Sequence, residues 1–154
     1  MKILNISSAR VQYPGGTEKE VWELSKYMAR RGHKITILQT DLYDKGHEWK
    51  TFERKEGINI LTCKNSRFVK GFGYSEEFKE KLKEIWKAFD IIHIFGYGRF
   101  TSEYTFRFIK NKKPIVYSGC GFFHNEKHRF FKKIYDQLFK RNAKYIDFGI
   151  GLTE

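Results

Sequence analysis

A glycine turn between two apolar segments constrains the fold of this chain more than any other feature. The largely apolar residues 3–6 are followed by a turn at residues 14–18, an amphipathic segment and a second apolar run at residues 35–38. A strand, a helix and a strand in this order predict a βαβ unit with parallel strands. Ligands of open parallel sheets bind beyond the carboxyl ends of the strands. We therefore expect this turn to lie at a ligand site.

The residues of the turn indicate the chemistry of that ligand. Gly15 and Gly16 lack a Cβ, so the backbone can approach a bound molecule closely. The helix after Thr17 would direct unpaired N–H groups and the positive end of its dipole toward the same place, which favours a phosphate or a sugar. Two alternatives stay open. The glycines can simply form a tight turn, and Glu18 can either orient an acceptor hydroxyl or stabilise the first helical turn as an acid.

The alternation of strands and helices continues along the chain. Further strand patterns occur at residues 58–61, 91–95, 114–117 and 145–150, and further helical patterns at residues 75–89, 101–110 and 126–141. The polar stretches 40–57 and 64–73 are predicted to be loops. The predicted fold class is α/β, a Rossmann-like doubly wound parallel sheet in one domain over residues 1–154. The first, second, fourth and fifth predicted strands should be neighbours near its centre.

Composition excludes several classes of protein. The chain has 154 residues and 40% hydrophobic content, including 15 Phe and 9 Tyr, which suffices for a substantial core. It has neither an apolar run of about 18 residues nor a signal-peptide pattern, so we expect a cytoplasmic protein. Cys63 and Cys120 have no neighbouring Cys or His at a ligand spacing. The sequence therefore predicts no metal site and no disulfide framework.

The formal net charge of +12 indicates an anionic partner or surface, although a lysine-rich exterior also serves solubility. Basic residues surround an aromatic stripe in the predicted helix at residues 126–141. That helix can contact an anionic membrane surface, or its stripe can pack on the sheet and leave a solvated basic face. Nucleic acid is the alternative partner, but the sequence carries no recognised nucleic-acid motif and its basic residues are spread over many segments.

Five short motifs resemble one enzyme family. They are GGTE at residues 15–18, RGHKIT at 31–36, FDIIHI at 89–94, KPIVYS at 113–118 and IGLTE at 150–154. In this order and spacing they resemble the N-terminal half of family 4 glycosyltransferases with the GT-B fold. The resemblance covers nearly the whole chain.

The resemblance implies a retaining, metal-independent transfer without a cofactor. A sugar would move from a nucleotide-sugar donor to a glycan or lipid-linked acceptor, and residues 1–154 would form the N-terminal acceptor-binding domain. The family's donor-binding domain is not part of this sequence, so the chain alone is expected to be inactive. Localisation would then be cytoplasmic, with peripheral contact to the membrane as an option.

The resemblance also nominates residues at the strand ends. The loop after the fourth strand contributes Gly96 and Tyr97 as substrate contacts, beside Gly15, Gly16, Thr17 and Glu18. After the fifth strand the family commonly carries a histidine near the transferred sugar. Here Cys120 stands at that position, and a thiol is a poor substitute for imidazole as a hydrogen-bonding group. His124 follows closely and is the candidate catalytic residue, with an ordinary solvated loop histidine as the alternative.

Two functions from different classes remain in view after the sequence alone. The first is the acceptor-binding half of a glycosyltransferase. The second is a non-catalytic Rossmann-like module that binds sugar phosphates or polyanions.

Overall fold

A seven-stranded sheet flanked by helices forms the protein in a computed structural model that describes residues 1–42, 50–69, 72–96, 98–119, 137 and 139–151. The strands are β1 (Lys2–Ile6), β2 (Lys34–Thr40), β3 (Phe52–Lys55), β4 (Ile58–Cys63), β5 (Arg67–Val69), β6 (Phe72–Tyr74), β7 (Ile91–Phe95), β8 (Ile115–Gly119) and β9 (Phe148–Gly151). The helices are α1 (Gly16–Arg30), α2 (Glu76–Ile85) and α3 (Phe100–Ile109).

The central strands confirm the predicted parallel arrangement. The order in the sheet is β3-β4-β2-β1-β7-β8-β9, and β2, β1, β7 and β8 are adjacent and parallel. Ile3 in β1 pairs with Ile35 on one side and with Ile91 on the other. From β1 the chain first builds the sheet through β2 and β4, and then returns to build it in the opposite direction through β7, β8 and β9. The strand order therefore reverses between β1 and β7, and ligands of doubly wound sheets bind at such a reversal.

Helices on both faces of the sheet bury its central strands. On one face Val21 of α1 packs with Ile37 and Ile60 in a buried cluster. On the other face Phe78 and Leu82 of α2 and Phe106 of α3 form a second cluster with neighbouring strands. Strands covered on both faces need apolar residues at nearly every position, which explains their continuous apolar runs in the sequence.

Two predicted loops contain strands. Within residues 40–57, β3 pairs antiparallel with β4 at one edge of the sheet. Its sequence, Phe-Glu-Arg-Lys, is largely charged and Phe52 is 54% exposed, so β3 lacks the apolar pattern of a core strand. Charged side chains are typical of edge strands because they discourage pairing with other chains. Within residues 64–73, β5 and part of β6 form a two-stranded antiparallel hairpin outside the main sheet.

Other predicted boundaries shift by a few residues. The helix predicted to reach residue 89 ends as α2 at Ile85 and tightens into a 3-10 turn over Trp86–Ala88. Ser75 caps α2 as expected, because its hydroxyl oxygen accepts a hydrogen bond from the Phe78 N–H at 3.0 Å. The last strand begins at Phe148 rather than at residue 145. Most of the predicted helix at residues 126–141 lies outside the described residues, although residues 139–141 are helical.

Candidate functional site

The candidate site lies at the carboxyl ends of β1 and β7, where the strand order reverses. The loop after β1 leads to the start of α1, and the loop after β7 begins at Gly96. A Cβ on Gly96 would lie 3.9 Å from Cγ2 of Thr17. The hydroxyl oxygens of Ser8 and Thr101 are 3.1 Å apart and join the first loop to the start of α3. The two loops that the sequence places on the ligand side of the sheet therefore meet.

The three glycines at this edge have different structural surroundings. Gly15 is the N-cap of α1, and Oε2 of Glu18 occupies the position that a Gly15 Cβ would take. Gly96 has a φ of +70°, which L side chains rarely adopt. Gly16 differs from both, because among the described residues no atom other than those of its chain neighbours and of the α1 backbone lies within 4 Å of its Cβ position. The positive φ accounts for glycine at residue 96, whereas a Cβ at residue 15 would meet mainly the end of the flexible Glu18 side chain.

The first turn of α1 presents backbone donors at this edge. The N–H of Gly15 is engaged with the carbonyl of Tyr13 at 2.8 Å, and the first intrahelical bond runs from the Lys19 N–H to the Gly15 carbonyl at 3.1 Å. No side chain caps this end of the helix. The N–H groups of Gly16 and Thr17 precede the first intrahelical bond, so they are oriented to donate to a ligand.

The carboxylate of Glu18 changes which ligand this helix end favours. It folds back against Gly15, beside the positive end of the helix dipole, where a negative charge is stabilised by about 0.3–1 kcal/mol. An anionic ligand at the same place would meet this charge. A sugar hydroxyl can instead donate to the carboxylate and accept from the backbone N–H groups. The geometry therefore suits a hydroxyl-bearing ligand better than a phosphate.

The end of β2 holds the loop after β1 in place. The Thr40 hydroxyl donates to the Ser8 carbonyl at 2.5 Å, and Oε1 of Gln39 accepts from the Val11 N–H at 2.9 Å. Nε2 of Gln39 donates to the Thr62 hydroxyl at 2.9 Å. Gln39 and Thr40 are both buried, so this network is shielded from water. It fixes the path of the chain into the glycine turn.

Asn65 extends the same network toward the β5–β6 hairpin. Its side-chain amide donates to the Thr40 hydroxyl at 3.0 Å and to Oδ1 of Asp41 at 2.8 Å, and its backbone N–H donates to the same Asp41 oxygen at 2.6 Å. Sequence reasoning did not select any of these residues. A usable signal exists, since Gln39 and Thr40 are polar residues directly following the apolar run at residues 35–38.

His93 is a buried structural residue on β7. Its Nε2 lies 2.8 Å from the Ser118 hydroxyl on β8, and its ring stacks on Phe95 with centroids 4.0 Å apart. Burial lowers the pKa of His93 from 6.5 to about 4. The ring is therefore neutral at physiological pH and links β7 to β8 just before the residue 119–124 segment.

Two other titratable groups are buried close to this edge. Oε2 of Glu103 on α3 accepts from Nδ2 of Asn142 at 2.6 Å, and burial raises the pKa of this carboxyl. Burial likewise raises the pKa of the Cys63 thiol to about 12, so Cys63 is an unreactive thiol. Glu103 thus joins α3 to the helical residues 139–143.

Several predicted site residues cannot be placed. Tyr97, Cys120 and His124 lie outside the described residues. Within the described ranges, no group of three or more His, Cys, Asp or Glu residues is arranged to hold a metal ion. None of the helices in those ranges has the length and apolar character needed to cross a bilayer.

Comparison with known proteins connects this fold and site to one family. Residues 14–147 match the family model for Glycosyltransferase Family 4. A search of curated proteins gives no significant match.

Two solved structures resemble the chain. One is the catalytic domain of Starch Synthase IV from Arabidopsis thaliana bound to ADP and acarbose, with a TM-score of 0.54 and 14% identity over 77% of this chain and 33% of that chain. The other is the C-terminal domain of the coenzyme A biosynthesis bifunctional protein CoaBC, with a TM-score of 0.48 and 9% identity over 86% of this chain and 69% of that chain. The first likeness shows a shared fold. The chain spans about a third of the length of that starch synthase chain.

The buried neutral state of His93 makes stability depend on pH. As the pH falls below 6.5 the unfolded chain takes up a proton at His93, whereas the folded chain does so only near pH 4. The folded state should therefore lose stability from this residue, on the order of 3 kcal/mol, as the pH falls from 6.5 to 4. Urea unfolding across this range should show a weaker pH dependence for His93→Gln than for the wild type.

His33→Gln is the matched control, because His33 lies just before β2 and does not belong to the buried pair of His93 and Ser118. It should keep the pH dependence of the wild type. Equal pH dependence in the wild type and His93→Gln would contradict a neutral, buried His93.

Proposed function

The chain belongs to glycosyltransferase family 4, and from this premise we propose that it binds the acceptor in a retaining transfer from a nucleotide-sugar donor to a glycan or lipid-linked acceptor. The observation that carries the proposal is the meeting of Thr17, in the first turn of α1, with Gly96 at the reversal of strand order. We further propose that residues 1–154 are the N-terminal domain of a two-domain enzyme with the GT-B fold. A second domain would hold most of the donor, and this chain alone would not turn over.

The geometry of the site supports binding of the acceptor at this end of α1. The Glu18 carboxylate would accept a hydrogen bond from an acceptor hydroxyl and orient it toward the donor. The open space beside Gly16 would admit the sugar ring against the backbone. These contacts need neutral, hydroxyl-rich chemistry, which distinguishes an acceptor sugar from a free phosphate.

Charge development on the donor calls for a second set of groups. A nucleotide sugar leaves as a diphosphate, and fixed donors stabilise its growing negative charge. Because the Glu18 carboxylate disfavours an anion at the start of α1, most of these donors would come from the second domain. We keep His124 as the proposed catalytic residue near the transferred sugar, with Tyr97 and Cys120 as proposed substrate contacts. The hexosyltransferase type of the reaction is part of this proposal.

The starch synthase structure lends general support to this choice of partners. That protein was bound to ADP and acarbose, a nucleotide and an oligosaccharide analogue. For a lipid-linked acceptor we propose peripheral contact with the cytoplasmic face of an anionic membrane, and the formal charge of +12 suits such a surface. We do not propose nucleic acid as a partner.

A non-catalytic module that binds sugar phosphates or polyanions is the second candidate function. The same charge of +12 favours it, since a basic protein attracts polyanions without any catalytic site. The two candidates differ in one measurable respect. A transferase releases a nucleoside diphosphate from a nucleotide sugar, whereas a binding module does not.

Replacement of Gly16 by valine tests the glycine turn. In the described part of the chain the added Cβ meets no atom outside its own helix and chain neighbours within 4 Å, so the variant should fold, but it would fill the space proposed for the acceptor. In the full-length two-domain protein we expect kcat/KM for transfer to fall by at least about tenfold, equivalent to about 1.4 kcal/mol of transition-state binding. Release of nucleoside diphosphate from UDP-, GDP- and ADP-linked sugars is the readout.

Gly149→Val is the matched control for this experiment. Residue 149 lies on β9, and no heavy atom lies within 4 Å of its Cβ position either. Transfer by the control should remain within about twofold of the wild type. Undiminished turnover in a folded Gly16→Val protein would show that the glycine turn has only a structural role. Failure of the wild type to release nucleoside diphosphate from any of the donors would favour the binding module.

Replacement of Glu18 by glutamine separates acceptor binding from donor binding. The amide keeps the size of the side chain but loses the negative charge that a donating hydroxyl would meet. We expect KM for the acceptor to rise by about tenfold, with KM for the nucleotide sugar unchanged. Steady-state kinetics with each substrate varied in turn would measure both constants.

Glu23→Gln on the exposed side of α1 is the control for the loss of one acidic charge. It ends an exposed ion pair with Lys26 and should leave both KM values unaltered. A larger effect of Glu18→Gln on the donor than on the acceptor would contradict the proposed role of Glu18.

A further inference from the structure

A concave surface lies at the amino ends of β8 and β9. The candidate site lies at the other end of the strands, beyond their carboxyl ends. The concave surface is open to solvent and has a volume of about 330 Å³, and its lining includes Asn111, Lys112, Lys113, Lys144, Tyr145 and Asp147. The turn after α3 contributes the first three of these residues, and the approach to β9 contributes the other three. Because β8 and β9 are parallel, both approaches reach the same edge of the sheet. We call this surface the lysine pocket.

Positive charge exceeds negative charge in the described lining of the lysine pocket, where three lysines face one carboxylate. The Nζ atoms of Lys110 and Lys144 lie 5.4 and 5.1 Å from the ring centroid of Tyr145, and Nζ of Lys112 lies 4.1 Å from that of Phe108. In the described part of the chain, the recorded side-chain partners of these lysines are aromatic rings and not acids. Such contacts orient an ammonium group but leave its charge available to a ligand.

Asp147 offsets one of these charges and is held in place by the backbone of β8. Its Oδ2 accepts from the Ile115 N–H at 2.8 Å, while its own N–H donates to the Ile115 carbonyl at 3.0 Å. Among the described lining residues it is the one carboxylate, against three lysines. Nζ of Lys113 also donates to the Lys87 carbonyl at 3.4 Å, which holds that ammonium group at the edge of the pocket.

We propose that the lysine pocket binds a phosphate-bearing small molecule. Ammonium groups bind phosphate oxygens as point charges, and the half-buried Tyr145 ring offers an apolar surface for the rest of the ligand. The volume lies at the lower end of the range of small-molecule sites, about 300–1,000 Å³. This proposal goes beyond sugar transfer, and only the choice of a dissolved ligand over a lipid headgroup rests on the proposed acceptor site.

The position of the pocket favours a dissolved ligand over a lipid headgroup. Strands of five residues separate the two edges of the sheet by roughly 16 Å, at about 3.3 Å per residue. A membrane seated on the lysine pocket would turn the carboxyl edge, and with it the proposed acceptor site, away from the bilayer. A small phosphorylated compound can occupy the pocket without this geometric conflict.

Calorimetric titration of the full-length protein with inorganic pyrophosphate tests this proposal. We expect saturable binding that weakens at least about tenfold in the triple variant Lys112→Gln, Lys113→Gln, Lys144→Gln. The matched control is Lys50→Gln, Lys55→Gln, Lys83→Gln, which removes the same charge from exposed lysines elsewhere. Its affinity should stay within about twofold of the wild type. If the triple variant folds poorly, the single variant Lys144→Gln takes its place, and its affinity for pyrophosphate should fall by less than tenfold but by more than that of the control.

Three results would overturn the proposal. The first is failure of pyrophosphate to saturate the wild type at any accessible concentration. The second is an equal loss of affinity in the two triple variants, which a nonspecific basic surface would give. The third result comes from flotation with phosphatidylglycerol vesicles. Vesicle association that needs the pocket lysines, in the absence of pyrophosphate binding, would assign the pocket to lipid headgroups instead of a small molecule.

Discussion

The parallel pairing of β1 between β2 and β7 is the constraint on which the rest of the structure depends. Leu4 and Ile6 of β1 are completely buried, so this strand has no alternative position at the surface. Its two neighbours belong to the two halves of the sheet that the chain builds in opposite directions. The loops leaving β1 and β7 therefore lead to helices on different faces of the sheet and meet at Thr17 and Gly96. Doubly wound sheets bind ligands in the crevice at such a reversal of strand order.

Buried polar groups convert that crevice into a defined site. Gln39 and Thr40 extend β2 past its apolar portion and bind the backbone of the loop that leaves β1. The glycine turn can then lie open to solvent at Gly16 while its approach is held by shielded hydrogen bonds. The Glu18 carboxylate adds a charge at the helix end and shifts its preference from anions toward hydroxyl groups. A binding site for a sugar acceptor requires rigid supporting contacts and polar groups that are accessible to the ligand.

Apolar periodicity was sufficient to predict the central sheet, because buried parallel strands need apolar residues on both faces. The runs at residues 3–6, 35–38 and 91–95 all became central strands. The same rule failed for β3, whose residues Phe52–Lys55 pair with one neighbour at an exposed edge and are largely charged. Periodicity carries no signal for such a strand, since its position is set by pairing with β4 rather than by burial.

The candidate site was predictable in its location but not in its supporting contacts. Glycines after apolar runs placed Gly15, Gly16 and Gly96 at one edge, and Thr17 and Gly96 do lie together there. The hydrogen bonds of Gln39 and Thr40 join residues about 30 positions apart in the chain, so no local pattern could pair them. The surroundings of Gly96 also depend on a tertiary neighbour, the Thr17 side chain at the start of α1.

Hydrogen–deuterium exchange of the full-length protein, with and without an acceptor glycan that supports turnover, tests the central claim most directly. Binding at the reversal of strand order should slow exchange in peptides covering residues 13–18 and 95–99, because both loops would contact the acceptor. Exchange in peptides covering β3 and β4 should stay unchanged. Slowed exchange elsewhere, with both loops unaffected at saturating acceptor, would contradict the assignment of this crevice as the acceptor site.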